Sequence, residues 1–74
     1  MSSQDERLFL LAYIERHIAE GHQHIAKMQL LIADGERRRF DMTEAKLRLA
    51  QFLTTQACRQ AHRTQVLAQL GGAA

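Results

Sequence analysis

Seven residues in the first half of the chain, Leu11, Ile14, Ile18, Gly21, Ile25, Met28 and Ile32, follow one another at steps of 3, 4, 3, 4, 3 and 4. That alternation lays an apolar stripe along one face of a long helix, at the heptad spacing of helix-on-helix packing. Leu11, Ile18, Ile25 and Ile32 stand a full heptad apart and are all large aliphatics. Such a row specifies a bundle seam rather than a catalytic pocket. No proline interrupts the 74 residues, so nothing opposes long helices.

Start and stop signals divide the chain in two. Ser3 followed by Glu6 reads as a capping box, and Asp5 and Glu6 place negative charge at the positive end of the helix dipole. The second start is Asp41-Met42-Thr43-Glu44, with Asp41 as N-cap, Glu44 three residues on, and Phe40 placed as the hydrophobic staple. Gly35 leaves two ends open for the first helix. It can be the C′ glycine of a helix ending near Ala33, or it can lie inside the last turns, with Arg37 and Arg38 at the negative end of the dipole. The second choice leaves the short connection that antiparallel helices want. Gly71-Gly72 stops the second helix, and Ala73 and Ala74 fray beyond it. These signals predict one domain over residues 1–74, with helix one over about 4–38, a turn at about 39–41 and helix two over about 42–70. At 1.5 Å per residue each helix is about 42–50 Å long, so the pair makes an all-α antiparallel two-helix hairpin.

The second helix is apolar at Met42, Ala45, Leu49, Phe52, Leu53, Ala57, Thr64, Leu67 and Leu70, with Gln56 and Gln60 as a polar layer that fixes register. Helix one carries more apolar surface than one partner can cover. Leu10, Tyr13, His17, His24, Met28 and Leu31 share a neighbouring face, again at steps of three, four and seven. A lone hairpin would leave them in water, and patches of that kind mark interfaces. The economical solution is a homodimer, two hairpins forming a four-helix bundle with these six residues at its interface.

Size points the same way. A domain this small usually needs a disulfide, a metal or a partner subunit. Cys58 is the single cysteine, so no intrachain disulfide exists, and a lone thiol fits a reducing compartment. The apolar run Leu8–Ile14 follows two acids instead of a basic segment and is far too short to span a bilayer, so the expectation is a cytoplasmic protein without a membrane role. Net charge is +2 but unevenly spread. Residues 1–34 hold Arg7, Arg16 and Lys27 against five acids, net −2, whereas residues 35–74 hold seven cations against Glu36, Asp41 and Glu44, net +4. An acidic helix beside a basic one suits an antiparallel hairpin, at about 0.2–1 kcal/mol per exposed pair.

Three clusters invite a chemical reading. His17 and His24 are seven apart, about 10.5 Å along the axis, so one helix cannot offer both to one ion. An intersubunit site from His17, Glu20 and His24 is the only metal arrangement left, and packing histidines are the plainer reading. Arg37-Arg38-Arg39, with Lys46 and Arg48 beyond, could contact phosphates, yet it lacks interleaved aromatics and a recognition motif. Cys58 with His62 four residues on could make a thiol–imidazole pair, but no third orienting group accompanies it. Nothing resembles a phosphate loop, a nucleophile elbow or paired carboxylates. No catalytic residue and no cofactor is expected, and the chain does not read as an enzyme.

The segments His17-Ile18-Ala19-Glu20-Gly21, His24-Ile25, Asp41-Met42-Thr43-Glu44-Ala45 and Ala61-His62-Arg63 resemble a group of short bacterial helical-hairpin proteins over roughly residues 14–67. Met42 departs from the threonine of that pattern. The resemblance implies a stand-alone hairpin and brings no activity with it. In architecture alone the chain is similar to the Rop-type plasmid copy-number regulator, a hairpin that dimerises and binds RNA; fold does not carry function. Function is thus expected first from a homodimeric interaction or structural module with an unknown protein partner. A nucleic-acid-binding regulator using the arginine turn and basic helix two comes second, and a metal- or redox-responsive sensor third.

Overall fold

Two helices and one tight turn account for the chain in the computed structural model, which describes residues 3–71. Helix α1 spans Ser3–Arg37 (35 residues) and helix α2 spans Thr43–Gly71 (29 residues). They pack against each other as an antiparallel hairpin measuring 56 × 15 × 14 Å. Its radius of gyration is 16.9 Å, against about 11 Å for a globular chain of this length. Gly35 lies inside the last turn of α1 and is buried, the second of the two choices its position left open. The expected stop at Gly72 and the frayed Ala73 and Ala74 lie outside the described residues.

The heptad row of α1 forms the seam. Ile14, Ile25 and Ile32 are buried, and Leu11, Ile18, Gly21 and Met28 are half-buried between them. The α2 side follows the same alternation from Met42 through Ala45, Leu49, Phe52, Gln56, Arg59, Arg63 and Val66 to Leu70. This keeps Met42, Ala45, Leu49, Phe52, Gln56 and Leu70 of the expected α2 stripe and corrects the rest. Leu53, Ala57, Thr64 and Leu67 are exposed, and so is Gln60, whereas Val66 is the most buried side chain described, at 2%. The physical reason is register: steps of 3 and 4 counted from Met42 pass through two arginines and miss the neighbouring leucines. Arginine can occupy such a place because its long stem lies on apolar surface while its head reaches water.

Glycine sets how closely the helices approach at two levels. At Gly21 a side chain would meet the amide of Gln56, with Gln56 Cδ 2.9 Å from where a Cβ would stand. At Gly35 it would meet the thioether of Met42, with Cε 2.9 Å away. Gln56, only 4% exposed, uses the space to donate from Nε2 to the Ile18 carbonyl at 2.7 Å. Its Oε1 has no hydrogen-bond partner and lies against Gly21.

The turn closes α1 with a Schellman motif. Phe40 N–H donates to the Gly35 carbonyl at 2.9 Å and Arg39 N–H to that of Glu36 at 3.0 Å, with Arg39 left-handed at φ 64°. Arg39 thus takes the place glycine usually fills. Asp41 then makes an Asx turn: its Oδ1 accepts from the Thr43 hydroxyl at 2.6 Å and the Thr43 amide at 3.0 Å. The reciprocal half of the expected capping box is absent here, because Glu44 pairs along the helix with Arg48 at 3.4 Å. The Thr43 hydroxyl, then the Thr43 amide, hold the Asp41 carboxyl below its ordinary range.

Two measurements follow from these contacts. Gly21→Ala should destabilise the protein by about 1–2 kcal/mol in denaturant melts, because evicting the Gln56 amide outweighs alanine's gain of about 1 kcal/mol in helix propensity. Gly35→Ala should cost less, since half-buried Met42 can swing its thioether outward. Asp41→Ala should lower the melting temperature at pH 7. The Asp41 carboxyl titrates lower when folded, so its stabilisation is complete above the ordinary carboxylate range and fades as pH falls through the depressed folded value. The gap between Asp41→Ala and the parent should therefore close on acidification.

Candidate functional site

The hairpin has two unlike flanks. On one, ion pairs tie the helices together: Lys46 Nζ to Glu36 Oε2 at 2.8 Å near the turn, and Arg63 Nε to Glu15 Oε1 at 3.3 Å towards the open end. Glu15 and Glu36 occupy the same edge of the α1 heptad. The opposite edge holds Leu10, His17, His24 and Leu31 at strict seven-residue spacing. No ion pair joins the helices on that side among the described residues.

A shallow groove runs along this second flank as three hollows of about 230, 170 and 340 Å³. Leu10, Tyr13 and His17 face Arg59 and His62 in the first. His17, Glu20 and His24 face Phe52 and Arg59 in the second. Met28 and Leu31 face Ala45 and Arg48 in the third. Rings order the wall: Tyr13 lies 4.4 Å from His17 along α1, and His24 meets Phe52 across the groove edge-on at 4.3 Å. These three hollows are open and follow one another along the flank.

Arg59 stands out in this groove. It is half-buried on the seam of α2, lines the first two hollows, and has no carboxylate at ion-pair distance among the described residues. Glu20 lines the second hollow with it, yet its carboxylate is turned to Arg16 at 3.3 Å and His17 at 3.9 Å, with a side chain 58% exposed. The structure thus brings Leu10, Tyr13, His17, His24, Met28 and Leu31 to one groove and adds Phe52, Arg59 and His62 from α2. Of the last three, Phe52 belongs to the apolar stripe read on the second helix and Arg59 emerges from the heptad counted from Met42, whereas His62 lies off that count.

The remaining candidates are dispersed. Among the described residues no three or more of His, Cys, Asp and Glu are grouped to hold a metal ion. His17 and His24 contact aromatic rings, and Cys58 is an exposed free thiol. In the basic group Arg37 and Arg38 both pair with Asp34, Lys46 with Glu36 and Arg48 with Glu44. Of these five cations only Arg39 has no carboxylate partner among the described residues. Neighbouring acids therefore offset most of the positive potential that phosphates would seek.

No helix of the described residues is long and apolar enough to cross a membrane. No protein-family model, curated protein or solved structure matches the chain.

The arginine turn can be tested directly. Exposed pairs of this kind contribute little, so changing Arg37, Arg38 and Arg39 together to Gln should leave unfolding free energy within about 1 kcal/mol. Equilibrium urea melts at constant salt read this out.

Proposed function

We propose that this chain is a small protein-interaction module that acts as a homodimer, two hairpins joined through the groove into a four-helix bundle. One observation carries the proposal. The single hairpin exposes 5893 Å², whereas a compact monomer of 8.5 kDa exposes about 4,700 Å². The excess, about 1,200 Å² per copy, is what one partner buries in an obligate dimer.

The kind of surface agrees with its amount. Only Ile14, Ile25, Ile32 and Val66 are buried apolar side chains among the described residues, while eleven large hydrophobic side chains stand exposed. Leu10, Tyr13 and Leu31 are among the latter and line the groove, with His17, His24 and half-buried Met28 between them. Covering such side chains is worth about 1.5–3 kcal/mol each, comparable in sum to a small domain's whole stability. The module works by binding and carries no catalytic role. A cytoplasmic location belongs to the same proposal and rests on the unpaired Cys58 thiol.

Light scattering at micromolar concentration should give about twice the 8.5 kDa chain mass. Leu10→Glu with Leu31→Glu should give a monomer, since both side chains are exposed in the hairpin and their loss leaves its seam intact. A folded monomer of the unmodified protein would overturn the proposal.

A further inference from the structure

The groove is asymmetric in charge, and that asymmetry selects how two copies meet. Helix α1 has four basic residues against six acidic, net −2; α2 has four basic against one acidic, net +3. Two hairpins joined groove to groove have two simple choices. A two-fold axis parallel to the helices sets α1 of each copy against α2 of the other. A two-fold axis perpendicular to them sets α1 on α1 and α2 on α2. The second choice stacks like charge on like along both helix pairs, which costs specificity and affinity.

The groove centre sharpens this choice. Gly21 faces Gln56 and Gly35 faces Met42, so residues whose numbers add to 77 lie at one height. Glu20 is the middle residue of α1 and Ala57 that of α2, and they share that height. Arg59 is two residues from Ala57, about 3 Å along the axis. A perpendicular axis through the middle of fully overlapped hairpins therefore brings Glu20 against its own copy, and Arg59 close to its own copy. Two half-buried arginines without carboxylates would then face each other in an apolar groove, an expensive arrangement. A parallel axis leaves every height unchanged. It places Arg59 of one copy within a turn of the partner's Glu20, across a helix spacing of about 8–10 Å that the two side chains span.

Resting on the dimer proposed above, we infer that the two copies are related by an axis parallel to the helices, with α1 against the partner's α2. In this arrangement Arg59 of each copy pairs with the partner's Glu20, and both turns lie at the same end. The second copy supplies the carboxylate that the hairpin lacks at Arg59. Glu20, held only by exposed Arg16 and a distant His17, is free to supply it.

The test is a distance and a rescue, on the full chain. With Cys58→Ser and Arg39→Cys, nitroxide labels at the two turns should lie roughly 20–30 Å apart, a bundle width plus the label arms. Turns at opposite ends would instead give a separation close to the 56 Å length of the hairpin. Separately, Arg59→Glu and Glu20→Arg should each raise the dimer Kd at least about tenfold, and the double exchange should restore it to within a factor of about three. A long distance overturns the arrangement while leaving the dimer standing. A short distance without rescue overturns the Glu20–Arg59 contact. Absence of any inter-label coupling, with a monomer mass by scattering, overturns the dimer itself. The labelling arm leaves Arg59 unchanged, so a poorly folded Arg59→Glu does not remove the test.

Discussion

Two glycines, each filled from across the seam, hold this hairpin in one register. Gly21 receives the Gln56 amide and Gly35 receives the Met42 thioether, and both pairs fall two heptads apart on their own helices. A slip of one heptad would set Gly21 against Leu49 or Arg63, and would drive Gln56 against Met28 or Ile14. A long side chain would then meet a long one, and a gap would open elsewhere. Interiors tolerate neither overpacking nor voids, so the slip is penalised at both glycines. At this level Gln56 is buried and its amide is tied to the Ile18 carbonyl of the other helix. A buried polar residue in a seam commonly trades stability for a unique pairing.

Everything outside the seam inherits that register. Glu36 reaches Lys46 and Glu15 reaches Arg63 because the heights match, and those pairs stitch one flank. The other flank receives Leu10, Tyr13, His17, His24 and Leu31 from α1, with no ion pair to α2 among the described residues. What meets them is Phe52, Arg59 and His62. The same constraint thus makes one flank polar and closed and the other apolar and open, from two helices of almost uniform amphipathicity. Arg59 falls at mid-height as a further consequence, which is why it decides between symmetries.

The α1 seam could be read directly from the chain because every position in it is apolar or glycine. The α2 seam was legible in part: Met42, Ala45, Leu49, Phe52, Gln56 and Leu70 fall on the stripe read from the chain, but Arg59, Arg63 and Val66 do not, since two seam positions are arginine and hydrophobicity alone drifts towards Leu53 and Leu67. Counting strict heptads from Met42 would have found Val66 and placed both arginines inward. The turn was half legible. Asp41 signals its Asx turn by residue type, but nothing about arginine announces the left-handed place that Arg39 takes. The groove was visible from α1 alone through Leu10, Tyr13, His17, His24, Met28 and Leu31. On its α2 wall Ala45 and Phe52 were legible in the apolar stripe, whereas Arg59 was hidden for the same reason as the seam arginines.

A hairpin with four buried apolar side chains among its described residues and about 1,200 Å² of surplus surface couples folding to association if the proposed dimer forms. Few apolar side chains are fully buried among the described residues of the single copy, so much of the free energy that opposes chain entropy would come from the second. Mass action then enters stability directly: each tenfold change in dimer affinity is worth about 1.4 kcal/mol. That linkage also bears on function. The apolar groove would be consumed by self-assembly, leaving for any other partner the outward faces with Phe9, Leu30 and Leu47, together with the turn. Those residues are exposed in the hairpin and lie off its seam. Recognition of a third molecule would therefore be separable from assembly, residue by residue, on this small scaffold.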